Sequence, residues 1–376
     1  MPWQVLTSPV EQWGVLPSFL IAEVLFIAMA GVALFHAKKA GRAELMIWAG
    51  ALIGGTANDL IFMALPLVDN FWHSQATIML SPRLPLYIPC VYICFLYYPT
   101  IAVRRLKMSG LAVGALTGLV AIIFYAPFDI TGAKLVWWTW HDTDLPVASR
   151  ILGAPTSSTL WVLTFAGSFA WLIDRMLARD PEVSWATFAK GLALVAGLTT
   201  ILMVLQITVL QQLDGGAPAY IALGTGVALY VVVFIWRGRG SIDRLTPDPA
   251  DRPAHVAVLV YAATLVLCMA AFDPASHVSS GAHQEAGECY VDAQDITGLT
   301  RHRYLCVEDF EEDFTFACTE PPADGARWYT ICGRAHTSFV AWMSGVAVLG
   351  VFIAGLFTFL FGFGPAPKPQ KRSRGT

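Results

Sequence analysis

Apolar residues gather into nine stretches of about twenty, at 17–35, 44–66, 85–103, 109–128, 157–177, 186–213, 217–236, 255–271 and 338–362, with polar residues concentrated between them. At 1.5 Å of rise per residue, each stretch is about long enough to cross a hydrocarbon core of ~30 Å as a helix. The pattern predicts an all-α fold, a polytopic transmembrane helical bundle of about nine spans. Eight spans fall within 1–271, a polar segment at 272–337 stands apart as a small module, the ninth span is 338–362, and a basic tail occupies 363–376. Gly110, Gly114 and Gly118 recur at every fourth position of the fourth stretch, a small-residue stripe that lets a neighbouring helix approach closely. Pro89 and Pro99 predict a kinked third helix, with Tyr87, Tyr92, Tyr97 and Tyr98 available to line a cavity. Cys90 and Cys94 share a face of that helix, one turn apart, which suits a core position.

Composition agrees with a membrane protein, at mean hydropathy +0.58 with 56% hydrophobic and only 14% charged residues. The basic residues then orient the spans. Lys38, Lys39 and Arg42 follow the first; Arg104, Arg105 and Lys107 the third; Arg175, Arg179 and Lys190 surround the junction of the fifth and sixth. Arg237, Arg239, Arg244 and Arg252 follow the seventh, and Lys368, Lys371, Arg372 and Arg374 end the chain, so 17 of 24 basic residues fall on every second side. By the positive-inside rule those connectors are cytoplasmic, with the N-terminus outside and the C-terminus inside, in a plasma membrane or endomembrane. An even number of spans would break this alternation. No positively charged segment precedes the first apolar stretch, which predicts no cleaved signal peptide.

The cysteines give the same sidedness independently. Cys289, Cys306, Cys318 and Cys332 all fall in the 272–337 module, and four cysteines on an oxidising face predict two disulfides. Zinc is the competing use, against which there is no Cys-x-x-Cys pair. Short aromatic or β-branched runs at 303–307, 314–319 and 327–332, separated by turn residues, predict strands in an extracellular or lumenal β-containing module. From 274 to 337 the module carries eleven acidic residues against four arginines, five of the acids within 308–313. A solvated acidic surface explains this, with a calcium or cationic-partner site as the alternative.

Several chemistries are excluded by what the spans lack. No two histidines stand three or four apart as in membrane di-iron enzymes, and the spans hold no haem-binding His pair, no mid-membrane Lys for a retinal Schiff base and no arginine ladder. There is no phosphate-binding G-x-x-x-x-G-K-[ST] loop. No cofactor and no metal is therefore predicted, and the net charge of −3 gives no reason to expect nucleic acid.

What remains is a polar layer at one depth. Glu23 in the first span, Asp59 with Asn58 in the second and Gln206 in the sixth all fall about 9–10 Å below the outer surface at 1.5 Å per residue. A carboxylate at that depth costs at least ~2.5 kcal/mol on insertion scales, so it faces the bundle interior, a partner or water. Two readings stand: interhelical hydrogen bonding, or acid–base and proton-coupling work. Above the layer, two connectors carry more chemistry than belt tryptophans require. One runs from Asp69 through His73 to Pro85; the other runs from Asp129 through Trp137-Trp138-Thr139-Trp140 to His141, Asp142 and Asp144. Asp59, His73, Asp129, His141, Asp142 and Asp144 are the candidate catalytic residues, because carboxylates and imidazoles opening on one face can act as acid and base.

The strings FWHSQATIMLSPRLPLYIPC and WWTWHDTD, with RYLCVEDFEEDFTFAC in the module, resemble an uncharacterised eukaryotic family of multi-spanning membrane proteins that would cover most of the chain. A shorter stretch, Asp129, Gly132, Trp138-x-Trp140 and Gly153-Ala-Pro155-Thr-Ser157 ending near Trp161, is similar to the D…G…W-x-W…G-V-P-x-S-N pattern of the carotenoid hydratase family, with Ser158 in place of the pattern's Asn. That resemblance implies an integral membrane enzyme adding water to the terminal double bond of an isoprenoid chain. Three functions follow for a chain whose surroundings are the lipid bilayer. The first is an enzyme on a lipid-like or isoprenoid small molecule, with Asp59 or Asp129 as acid and His73 or His141 as base. The second is a transporter or channel relaying protons or cations through Glu23 and Asp59. The third is a receptor or adhesion protein whose disulfide module binds an extracellular partner.

Overall fold

A computed structural model describes residues 3–65, 71–108, 110–140, 144–238, 247–282, 285–296, 298–306 and 313–363. Among the described residues, nine helices are long and apolar enough to cross a membrane. A short helix, α1 (Pro9–Val15), precedes α2 (Pro17–Ala40), whose first position is the proline that needs no N–H there. Gly41, at φ 132°, breaks the chain before α3 (Arg42–Ala64). The connector to α4 (Tyr87–Arg104) holds β1 (Phe71–His73), β2 (Met79–Ser81) and β3 (Leu84–Pro85). Pro89 lies in the first turn of α4, where its missing N–H has no intrahelical partner to lose, so only Pro99 interrupts the helix interior.

The fourth span runs further than its apolar stretch. α5 (Leu111–Lys134) continues past residue 128, so Asp129 sits inside a helix instead of in the connector expected for it. The connector beyond it holds β4 (Trp138–Trp140), the one-turn α6 (Leu145–Ala148), β5 (Arg150–Ile151) and β6 (Ala154–Pro155). Then come α7 (Thr156–Leu177), α8 (Trp185–Leu210), α9 (Tyr220–Gly238) and α10 (Arg252–Ala271). The last span, α11 (Phe339–Leu360), follows the module.

Glycines set the closest helix contacts. A Cβ on Gly114 would lie 2.8 Å from the Gly167 carbonyl oxygen, and one on Gly118 2.5 Å from that of Leu163, so these two bring α5 onto α7. Gly110 does not belong to that stripe: at φ +60° it starts the helix, with open space where its Cβ would be and its N–H donating to Asp174 at 2.6 Å. On α3, a Cβ on Gly55 would overlap the Tyr92 ring of α4. The interior is built mainly from α2, α4, α5 and α7, while α8, α9 and α11 leave Ile201, Leu205, Val209, Val232, Val348 and Val351 exposed, as a lipid-facing surface requires.

Polar structure caps the two ends differently. At one end, His36 contacts the Tyr97 hydroxyl at 2.6 Å and the Asp251 carboxylate at 3.0 Å, and Asp251 also pairs with Arg105. At the other end, the two long connectors pair as an antiparallel ribbon that sets His73 opposite Trp138 and Phe71 opposite Trp140. The N-terminal segment joins this end through a bridge between Leu6 and Ile78.

The module docks on the same end. Its three-stranded sheet orders β12 (Phe314–Thr315), β13 (Trp328–Gly333) and β7 (Val278–Ala282). Beside it lie the parallel pair β8 (Ala286–Gly287) and β11 (Leu305–Cys306) and the hairpin β9 (Asp292–Gln294) with β10 (Thr300–His302). Strands β11 and β12 fall within the runs expected from sequence and β13 runs one residue past its own; β7, β8, β9 and β10, poor in β-branched residues, were not anticipated. Cys318 and Cys332 form a disulfide, and Cys289 is also disulfide-bonded, while the Cys306 side chain lies outside the described residues. The Gln75 N–H donates to the Ser280 carbonyl at 2.5 Å, Lys134 at the end of α5 pairs with Asp313, and Ser18 of α2 lies 2.7 Å from His277 Nε2. The acidic residues 308–312 lie outside the described residues.

Candidate functional site

Where the bundle meets the ribbon and the module, a cavity of about 250 Å³ opens among α3, α4, α5, α7 and α8. Aromatic rings make up about a third of its wall, among them Tyr92, Phe95, Phe128, Trp138, Trp140 and Trp161. Local sequence explains how such rings pack near one point. Gly132 leaves no Cβ where the Trp138 ring rests on α5, and Gly55 does the same for Tyr92 on α3. Phe128 lies 4.8 Å from Trp138 centroid to centroid, and Trp161 stacks on Phe165 at 5.2 Å.

Three of the candidate catalytic residues meet in this cavity: Asp59, His73 and Asp129. Asp59 is five residues before the end of α3 at Ala64, and Asp129 five before the end of α5 at Lys134. At 1.5 Å per residue each residue therefore lies about 7.5 Å along its helix from that helix's end. The Tyr92 hydroxyl donates to Asp59 at 2.7 Å and accepts from Asn58 Nδ2 at 3.2 Å, while Thr200 donates to the Asn58 carbonyl at 3.1 Å. Ser158 and Arg150 bear on the charge of Asp129, and Arg83 on that of Asp59.

His73 enters from the ribbon. Its Nδ1 lies 3.3 Å from the Tyr87 hydroxyl, while its buried Nε2 has no hydrogen-bond partner among the described residues. Burial pushes its pKa down from 6.5 to about 3, so at neutral pH it is an uncharged imidazole and a weak base. It is therefore better suited to hydrogen-bonding a ligand than to abstracting a proton from water.

The remaining candidates separate from this group. Asp144 immediately precedes α6 and pairs with Arg301 of the module at 2.7 Å, and Arg301 also holds Asp295 at 2.7 Å. Arg301 and Asp295 both reach the cavity lining, so hairpin β9–β10 supplies part of its mouth. His141 and Asp142 lie outside the described residues. Glu23 does not line the cavity; its carboxylate accepts from the Thr77 N–H at 2.9 Å and the Thr77 hydroxyl at 2.9 Å, fastening the first long connector to α2. Gln206 donates to Ser168 at 2.9 Å and accepts from the Tyr230 hydroxyl at 2.8 Å, an interhelical tie beside the cavity. Among the described residues no group of three or more His, Cys, Asp or Glu is placed to hold a metal.

Sequence reasoning missed Ser158, Asp295 and Arg301. Ser158 was visible only as a departure from the hydratase pattern, and nothing in the module's sequence marks one arginine among four as reaching the bundle.

The sequence model of the domain-of-unknown-function family DUF7802 matches residues 6–361, nearly the whole chain. The chain belongs to the DUF7802 family. This agrees with the resemblance to a eukaryotic family of multi-spanning membrane proteins, and the match spans bundle, ribbon and module together, so the cavity lies wholly inside DUF7802. No curated protein and no solved structure matches the chain, and the shorter hydratase resemblance draws no support from these comparisons.

Proposed function

We propose that this DUF7802 protein is a membrane-embedded enzyme that admits a lipid-like or isoprenoid amphiphile to the cavity and acts on it by acid–base chemistry of Asp59 and Asp129. One observation carries the reading: two carboxyl groups from two helices, each five residues from its helix end, line one cavity with several aromatic rings. Opposite roles as proton donor and acceptor need two such groups within reach of one substrate. His73 then orients the substrate through its Nε2 atom. The apolar walls hold the chain of the amphiphile, and the module closes the mouth through Arg301 and Asp295.

The other readings find less support. A carboxylate relay requires Glu23, whose oxygens are held by Thr77 outside the cavity. A receptor with an independent module has no use for a module arginine in the cavity wall.

The test incubates detergent-solubilised protein with a total lipid extract and follows the mixture by mass spectrometry. A lipid species consumed by the wild type and left intact by Asp59→Asn and by Asp129→Asn is the expected result. The double variant should be no worse than either single one, because groups acting as a unit are not additive. Equal conversion by all forms, or a Val91→Trp variant that fills the cavity without changing bound or converted lipids, would overturn the reading.

We further infer, from the alternation of basic connectors, that the module end faces outside or the lumen and the tail the cytoplasm. Cysteines introduced at Thr319 and Lys371 should be labelled by an impermeant reagent from opposite sides of intact membranes; labelling from one side would refute the orientation.

A further inference from the structure

Among the described residues, the charges that line the cavity are Asp59, Asp129 and Asp295 against Arg301. The charge of Arg301 is matched within the protein, since Nη1 donates to Asp144 and Nε to Asp295, both at 2.7 Å. Arg83 and Arg150 act on Asp59 and Asp129 from behind the lining. Arg150 turns its own donors to the Val147 and Gly153 carbonyls and packs 5.4 Å over the Trp140 ring. A ligand therefore meets a net acidic surface.

The hydrogen-bonding capacity around the two carboxyls is lopsided in the same sense. The donors beside Asp59 are already engaged: Tyr92 donates to Asp59, and Asn58 to Tyr92. The acceptors are not all satisfied. His73 is 94% buried, since only 6% of its surface is exposed, and its Nε2 finds no partner among the described residues. An uncharged imidazole with its proton on Nδ1, donated toward the Tyr87 oxygen, presents a lone pair at Nε2. Around these acceptors stand Tyr92, Trp138 and Trp161, whose ring faces attract cations.

We propose that the cavity recognises the protonated primary amine of a long-chain amphiphile, whose N–H groups donate to Asp59, Asp129 and His73 Nε2 while the ring walls flank the charge and the chain. This rests on the amphiphile reading given above and adds the head group to it. A primary ammonium has three donors for three acceptors. A quaternary ammonium keeps the charge and leaves His73 Nε2 unpaired. A fatty alcohol lacks the charge, and a fatty acid brings the wrong one.

The experiment measures affinity for dodecylamine, dodecyltrimethylammonium, dodecanol and dodecanoate, below their micellar concentrations, on protein in neutral-lipid nanodiscs at pH 7.4. Displacement of a fluorescent long-chain amine, read on wild type first, decides the order. The expected order has the primary amine tenfold or more tighter than the alcohol, the quaternary amine between them, and the carboxylate weakest. Asp59→Asn and Asp129→Asn each weaken the amine at least tenfold and the alcohol less than twofold; His73→Phe weakens the primary amine and spares the quaternary one. Wild type that binds the alcohol as tightly as the amine overturns the head-group proposal and leaves the amphiphile reading standing. Absence of saturable binding for all four chains overturns both. Because the wild-type series is decisive by itself, a variant that fails to fold does not remove the test.

Discussion

Acidification should loosen the module from the bundle through His277, and the size of the effect follows from its surroundings. His277 precedes β7, is almost fully buried, and has its Nε2 2.7 Å from the Ser18 hydroxyl, which itself accepts from the Trp137 indole N–H at 2.9 Å. Burial lowers its pKa from 6.5 to about 4, with Asp273 opposing the shift. The undocked module exposes the ring and restores the ordinary value, so between these two values the open form binds more protons than the closed one. Docking is thus fully stable above about pH 6.5 and loses free energy as pH falls toward about 4. With those two values, the change from pH 7 to pH 5 is roughly 2 kcal/mol, about a twentyfold rise in the open population. Hydrogen exchange at the amides of β7 and β13, corrected for intrinsic rates, reads that population directly. His277→Gln keeps a polar group facing Ser18 and should flatten the dependence, although His73, with its own lowered pKa, adds to the slope wherever the same opening exposes it. A wild type equally protected at pH 7 and pH 5, or an unchanged slope in the double variant His277→Gln/His73→Gln, would refute the reasoning.

Replacing Arg301 by Ala removes the cation between two buried carboxylates and should cost about 2–4 kcal/mol of module docking, whereas Asp144→Asn, which leaves the Arg301–Asp295 pair, should cost about 1–2 kcal/mol. Protection of the β9–β10 amides ranks the two, and the reverse ranking would discredit the latch. Gly132→Ala drives a methyl into the Trp138 ring and should destabilise the fold by ~1–3 kcal/mol while deforming the cavity wall, visible as a lower thermal midpoint and altered tryptophan fluorescence. The double variant Cys318→Ser/Cys332→Ser opens a loop of 14 residues and should lower module stability by about 3 kcal/mol, measured as faster proteolysis there with the bundle's thermal midpoint retained.

By itself the sequence determined the membrane class, the approximate place of all nine helices and the existence of a cysteine-bearing module. Hydrophobic length is a local property: a stretch of about twenty apolar residues has to satisfy its backbone hydrogen bonds internally, whatever surrounds it. The same logic made Asp59 conspicuous, since a carboxylate inside such a stretch is costly enough to need a reason. It failed at Asp129, because the polar run Asp129-Ile130-Thr131-Gly132 ends the apolar stretch but not α5, which continues to Lys134 among buried neighbours. Only the tertiary structure decided which polar residues share a site. Glu23, Asp59 and Gln206 lie at similar depths in sequence, yet helix rotation and neighbours send Glu23 to Thr77, Gln206 to Ser168 and Tyr230, and Asp59 to the cavity. His73 reaches that cavity through its pairing with Trp138, and Arg301 through the docking of a module more than two hundred residues from the helix that carries Asp59. Pairings between segments so distant in sequence depend on the shapes of both surfaces, and no window of the chain contains both.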